Sequence, residues 1–139
     1  MEEVKKVIEL LQQTFQNSSF SPVKSEWITE VQKKYQHIPA NLKYLYSNLG
    51  YGTIGDSYYS IHVLMDPSEI YDPETSKKLH GKVIVGDDFG GTCHAYDARN
   101  GWVFGYIDSN GEFNDLREIY ADFVSFLEQL ALNENDGNR

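Results

Sequence analysis

One stretch, IVGDDFGGTCHAYDARNGWVFGY at residues 84–106, constrains the fold more than any other part of the chain. It holds two strand patterns joined by Asn100-Gly101, a dipeptide whose two positions both accept positive φ and which predicts a type I′ hairpin turn. Strands joined by so short a turn pair antiparallel. They are entered through Gly86-Asp87-Asp88-Phe89-Gly90-Gly91, a loop dense in acids and glycines. Strand patterns fall at 58–64, 82–86, 92–97 and 102–108, and Ser109-Asn110-Gly111 marks a second turn. Gly50, Gly52 and Gly55 predict a flexible loop ahead of the first strand.

Helical periodicity brackets these strands. Val4, Val7, Ile8, Leu11 and Phe15 recur at helical spacing over 2–16. The turn residues of Asn17–Pro22 predict a loop. A second helix runs from Ser25 to Tyr35 with Trp27, Ile28, Val31 and Tyr35 as its buried stripe. A third runs from Pro39 to Leu49, with Leu42, Leu45, Tyr46 and Leu49 facing inward and Gly50 ending it. Asp66-Pro67-Ser68-Glu69 reads as a capped start of a short helix to Tyr71, stopped by Asp72-Pro73, and 74–80 as an exposed helical turn. The last helix is expected from Asp115 to Leu132, with Leu116, Ile119, Phe123, Phe126, Leu127 and Leu130 inward. The resulting expectation is an α+β domain over 1–132, an antiparallel sheet flanked by N-terminal helices and a long C-terminal helix, with a disordered tail over 133–139.

The chain has 139 residues, one cysteine and a formal charge of -9. A domain of this length buries roughly two thirds of its unfolded surface and needs no staples. Cys93 alone cannot make an internal disulfide, which points to a reducing compartment. The charged start Met1–Lys6 has no apolar segment after it, and no run approaches the ~20 apolar residues of a membrane span. A cytoplasmic protein is expected. The charge is lopsided: residues 1–50 hold six Lys/Arg and five Asp/Glu, residues 51–139 six and sixteen, a net of -10. Such a field repels nucleic acid and membrane surfaces and speeds encounter with basic partners.

Candidate chemistry is sparse. Asp87, Asp88, His94 and Asp97 are the best metal or hydrolase candidates, with His62 or His80 needed to complete a ligand set. Side chains alternate along a strand, so His94 and Asp97 fall on opposite faces and the neighbours Cys93 and His94 cannot form a pair directly. The competing reading is that Asp87 and Asp88 accept backbone N–H groups in a tight glycine turn, and that Cys93 is a small buried residue. Gly86–Gly91 lacks the Lys and the following helix of a phosphate loop. Asp108–Glu112 departs from calcium-loop spacing and reads as a hairpin turn. No catalytic residue, metal or cofactor is expected. Trp102, Phe104 and Tyr106 share one strand face, opposite Val103 and Ile107. Tyr51, Tyr58, Tyr59, Tyr96, Trp102 and Tyr106, interspersed with Asp87, Asp88, Asp97 and Asp108, form the candidate contact surface: aromatic anchors among acids suit a basic protein.

The order of the signals carries a resemblance. Pro39-Ala40-Asn41-Leu42-Lys43-Tyr44-Leu45-Tyr46 followed by Leu49-Gly50-Tyr51-Gly52 resembles the opening of the SUKH superfamily, which includes the yeast Smi/Knr cell-wall regulators. Gly86–Gly91, Tyr96-Asp97, Gly101-Trp102-Val103 and Asp108 are similar to its central strands, and Asp122-Phe123-Val124-Ser125-Phe126-Leu127 to its closing helix. Together these cover about residues 25–130. The resemblance implies an antiparallel sheet flanked by helices and no enzymatic activity. Among bacterial members it implies an immunity protein that neutralises a toxin, often a nuclease. Among fungal members it implies a regulatory scaffold. The reading reached here is an immunity protein for a cognate, basic toxin, monomeric or weakly dimeric, with a Smi/Knr-type scaffold as the alternative and a small metal-dependent hydrolase behind both.

Overall fold

A computed structural model describes residues 1–137 of the chain. Seven strands, β1 Ser19–Ser21, β2 Tyr51–Ile54, β3 Tyr59–Met65, β4 Lys82–Asp87, β5 Cys93–Asp97, β6 Val103–Ile107 and β7 Phe113–Asp115, lie in sequential order in one antiparallel sheet. With α1 Glu2–Thr14, α2 Ser25–Lys34, α3 Ala40–Asn48, α4 Pro73–Lys78 and α5 Phe123–Gly137 they form the expected α+β fold.

Three strands were not legible as strands. β1 lies in the expected loop at 17–22, and β2 in the expected flexible loop. Gly50 and Gly52 have φ of +100° and +141°, and a Cβ on either would overlap a β1 carbonyl oxygen, Ser21 or Ser19. These glycines allow close backbone approach, not mobility. β7 ends on Asp115, the expected first residue of the closing helix, which begins instead at Phe123. Two acceptors set that start: the Tyr96 hydroxyl takes the Phe123 N–H at 2.8 Å and Asp122 Oδ1 takes the Ser125 N–H at 2.8 Å. Leu116–Tyr120 is left as a turn, with Ile119 68% exposed rather than in the core. The expected disordered tail is helical through Gly137, and Asn135 bonds Thr14 at 3.2 Å; 138 and 139 lie outside the described residues.

The Asn-Gly turn is also corrected. Residues 98–102 form a five-residue connection in which the N–H groups of Asn100 and Trp102 both bond Asp97 O, and the positive φ values fall on Gly101 and Trp102 (66° and 56°). Trp102 therefore belongs to the turn, and the expected stripe keeps only Phe104 and Tyr106 in the strand.

Both sheet faces are covered. On one, Tyr59, Ile61, Val83, Val85, Tyr96 and Phe104 pack with α1, α3 and α5 through Leu11, Leu42, Leu45, Phe123 and Leu127. On the other, Ile84, Cys93, Ala95 and Ile107 lie under Met65 at the end of β3 and under Tyr71 and Leu79 of the β3–β4 connection. That connection is a 3-10 turn, Pro67–Glu69, and then α4. Asp66 caps the first through the Ser68 N–H and Asp72 the second through the Thr75 N–H, so Asp72-Pro73 starts a helix as well as ending the preceding turn. Helix α2 has no fully buried residue. Of its expected stripe only Tyr35, at the C-cap, is buried, and Trp27 is 38% exposed.

Candidate partner-binding surface

In a sequential antiparallel sheet the connections alternate between two ends. The β2–β3, β4–β5 and β6–β7 turns share one end and bring together Asp56, Asp87, Asp88, Asp108 and Glu112, with no Lys or Arg in the three turns. Turn chemistry places these acids. Asp88 Oδ1 accepts the N–H groups of Gly90 and Thr92 at 2.8 and 3.1 Å, and Asp87 Oδ1 that of Phe89 at 2.9 Å. Asp108 Oδ1 accepts from Asn110 and Glu112, and its Oδ2 from the Asn114 amide. The Asn114 amide and the two N–H groups hold the Asp108 carboxyl below the usual carboxylate range. Asp87 Oδ2 pairs with His62 Nε2, and Glu112 with Lys78 at 3.1 Å.

Two aromatics stand out at this end. Tyr58 is exposed in the β2–β3 turn, its ring 4.9 Å from that of Phe15. Phe89 is 53% exposed at the tip of the β4–β5 turn with φ +63°. A bulky residue in the left-handed region is uncommon, and a large side chain offered to solvent beside carboxylates has the makeup of a contact residue. The sequence reading passed over Phe89 as a loop residue, although its place between Asp88 and Gly90 was a signal.

The ten expected contact residues do not form one surface. Asp87, Asp88, Asp108 and Tyr58 lie at the acidic end. Asp97 and Trp102 lie at the opposite end, where Lys82 Nζ stands 3.5 Å from Asp97 and the Trp102 indole N–H bonds Gln36 O at 2.7 Å. A groove of about 630 Å³ opens there among Gln36, His37, Arg99 and Trp102. Tyr106 is half-buried on β6. Tyr59 and Tyr96 are buried and leave the contact set: Tyr96 holds the start of α5, and Tyr59 bonds His94 Nδ1 at 2.7 Å.

The candidate catalytic residues also separate. His94 points into the helix-covered core, its ring centroid 4.0 Å from that of Phe126 and stacked on Phe104. Burial lowers its pKa to about 4, against the weaker upward pull of Asp88 and Asp87. Cys93 faces the opposite layer, and burial pushes its thiol up. His80 is exposed after α4. Among the described residues no group of three or more His, Cys, Asp or Glu side chains is placed to hold a metal ion. No described helix is long and apolar enough to cross a membrane.

The sequence reading also missed a cleft beside the His62–Asp87 pair. Trp27 of α2 and Tyr51 of β2 form its walls, their ring centroids 5.8 Å apart at 70°. Val31, Val63 and Met65 supply apolar lining, and His62 and Glu69 also line it.

The model of the SMI1 / KNR4 family (SUKH-1) matches residues 22–129. Among curated proteins the chain is similar to the Chaperone SurA of Pseudomonas fluorescens, 32% identical over 89 residues that cover 58% of this chain and 21% of that protein. The chain thus spans about a fifth of that relative's length.

Proposed function

The chain belongs to the SMI1 / KNR4 family (SUKH-1), and from that premise we propose that it is a non-enzymatic immunity protein that binds and neutralises a basic toxin in the cytoplasm of its own cell. The observation that carries this reading is the acidic sheet end, where Phe89 and Tyr58 stand exposed among Asp56, Asp87, Asp88 and Asp108. The carboxylates steer a basic partner into encounter, and the rings provide apolar area to bury once it arrives. A nuclease toxin fits this chemistry, because its substrate channel must attract phosphates and can be occupied by carboxylates instead. A binding role is also favoured by how the acids are engaged. Asp87 and Asp88 spend acceptor oxygens on turn N–H groups, which suits fixed charge better than proton transfer.

The test is co-expression with the product of the adjoining reading frame, followed by association kinetics of the purified pair. Protection from a toxic product and a stable complex are expected. The triple substitution Asp87→Asn, Asp88→Asn, Asp108→Asn keeps an oxygen acceptor at each turn and removes three charges. It should slow association at least about tenfold at low salt and flatten the salt dependence. Failure of the chain to protect against a toxic neighbour, or turnover of a substrate by the chain itself, would overturn the reading. An unchanged on-rate in the triple variant would remove the acidic end from it.

A further inference from the structure

A cleft lies between α2 and the sheet. Trp27 begins as a stripe residue of an amphipathic helix, yet it is left 38% exposed and packs edge-on against Tyr51. Between the rings and the sheet lies a space of about 280 Å³ with an apolar lining from Val31, Val63 and Met65. That is below the roughly 300–1,000 Å³ of small-molecule sites and suits one long side chain. Its polar groups favour a cation. Glu69 is exposed at the rim and makes no ion pair among the described residues, and the His62 imidazole that lines the cleft bonds Asp87. The Trp27 ring already draws a cation, since the chain's own Lys24 ammonium lies 5.8 Å from its centroid. Lys24 does not line the cleft.

We infer that this cleft is a socket for one arginine side chain of the basic protein partner, with the guanidinium against Trp27 and Tyr51 and paired to Glu69. Arginine fits better than lysine. Its planar, weakly hydrated head stacks on aromatic faces while its methylene stem covers apolar surface. The His62–Asp87 pair ties the socket to the acidic end, because His62 lines the cleft and its partner Asp87 belongs to that end. A partner held by the turn acids would thus reach the cleft along a continuous surface. The inference rests on the reading of the chain as a binder of a basic protein and adds where that partner inserts a side chain.

The test needs no toxin, so it can fail while that reading stands, and the converse holds. The chain has two tryptophans, Trp27 and Trp102, giving two indole N–H resonances, one at the socket and one bonded to Gln36 at the other end of the sheet. Titration with N-acetyl-arginine amide, followed by ¹H–¹⁵N NMR, should move the Trp27 resonance saturably and leave that of Trp102 in place. The neutral isostere N-acetyl-citrulline amide should bind at least about fivefold more weakly, the loss of a desolvated cation–π contact. Glu69→Gln, at an exposed position that leaves the fold intact, should weaken the arginine probe about two- to fivefold, the size of an exposed ion pair. An unmoved Trp27 resonance, equal binding of the neutral analogue, or an unchanged affinity in the Glu69 variant would each overturn the inference.

Discussion

Acidification should destabilise this fold through one buried imidazole. His94 is 7% exposed, packed against the rings of Phe104 and Phe126, and bonded through Nδ1 to the Tyr59 hydroxyl. Burial holds its pKa at about 4 in the folded protein against 6.5 for the free side chain, with the Asp88 and Asp87 carboxylates opposing that fall only in part. The unfolded chain therefore takes up a proton near pH 6.5 and the folded chain not until about 4. Between those values the unfolded state binds more protons, so stability is full above pH 6.5 and is lost as pH falls. At roughly 1.4 kcal/mol per pKa unit the full loss is about 3 kcal/mol, a large share of the stability of a domain of this size. The comparison protein is His94→Phe with Tyr59→Phe, which keeps two aromatic rings and leaves no hydroxyl without a partner. Urea unfolding of both proteins at pH 7, 6, 5 and 4.5 gives the stability at each pH by extrapolation. The carboxylates of Asp66, Asp72 and Asp115, held low by backbone N–H groups, and of Asp108, held low first by Asn114, contribute stability that is lost below this window. They do so equally in both proteins. The wild type should lose most of the 3 kcal/mol relative to the variant by pH 4.5. Parallel stability–pH curves would refute the reasoning, because they would mean that His94 protonates in the folded state as freely as in the unfolded one.

Three further outcomes test the framework around the site. Tyr46→Phe should cost about 2–3 kcal/mol in urea unfolding, because the buried hydroxyl donates to His62 O at 2.7 Å and accepts from Leu64 N at 3.3 Å, holding the β3 irregularity where Leu64 has φ +40°. Gly86→Ala should cost about 1–3 kcal/mol of overpacking, since a Cβ there would overlap the hydroxyl of Tyr59, whose ring is fully buried and cannot swing away; a neutral result would mean the ring is not held as described. Asp72→Ala should remove the N-cap of α4 and lower stability, read as a lowered midpoint with an unchanged urea slope.

The layer order was readable because each strand from β3 to β6 is a short apolar run ended by turn residues, and α1 and α3 repeat at 3.6. What was misread depends on contacts beyond the local pattern. Gly50 and Gly52 look like flexibility until a partner strand is known to run against them. Residues 115–122 look helical by composition, but Tyr96, distant in sequence, fixes where α5 begins. The acids of the site were legible, because Asp in a glycine turn accepts its own backbone and is thereby held at a sheet end. The aromatics were not. Tyr58 and Tyr59 are neighbours of one type, but Tyr58 lies in the β2–β3 turn and Tyr59 opens β3, which leaves one in solvent and puts the other in the core. Trp27 shows the same limit on a helix. Its spacing is that of a buried stripe, and only the position of α2, which leaves none of its residues fully buried, keeps the ring from being covered. A residue whose pattern demands burial and whose neighbours do not supply it has apolar surface to spare. On a chain that otherwise satisfies its buried polar groups among the described residues, that unmet demand falls beside carboxylates, which is why the cleft at Trp27 reads as a place for a cation carried on an apolar stem.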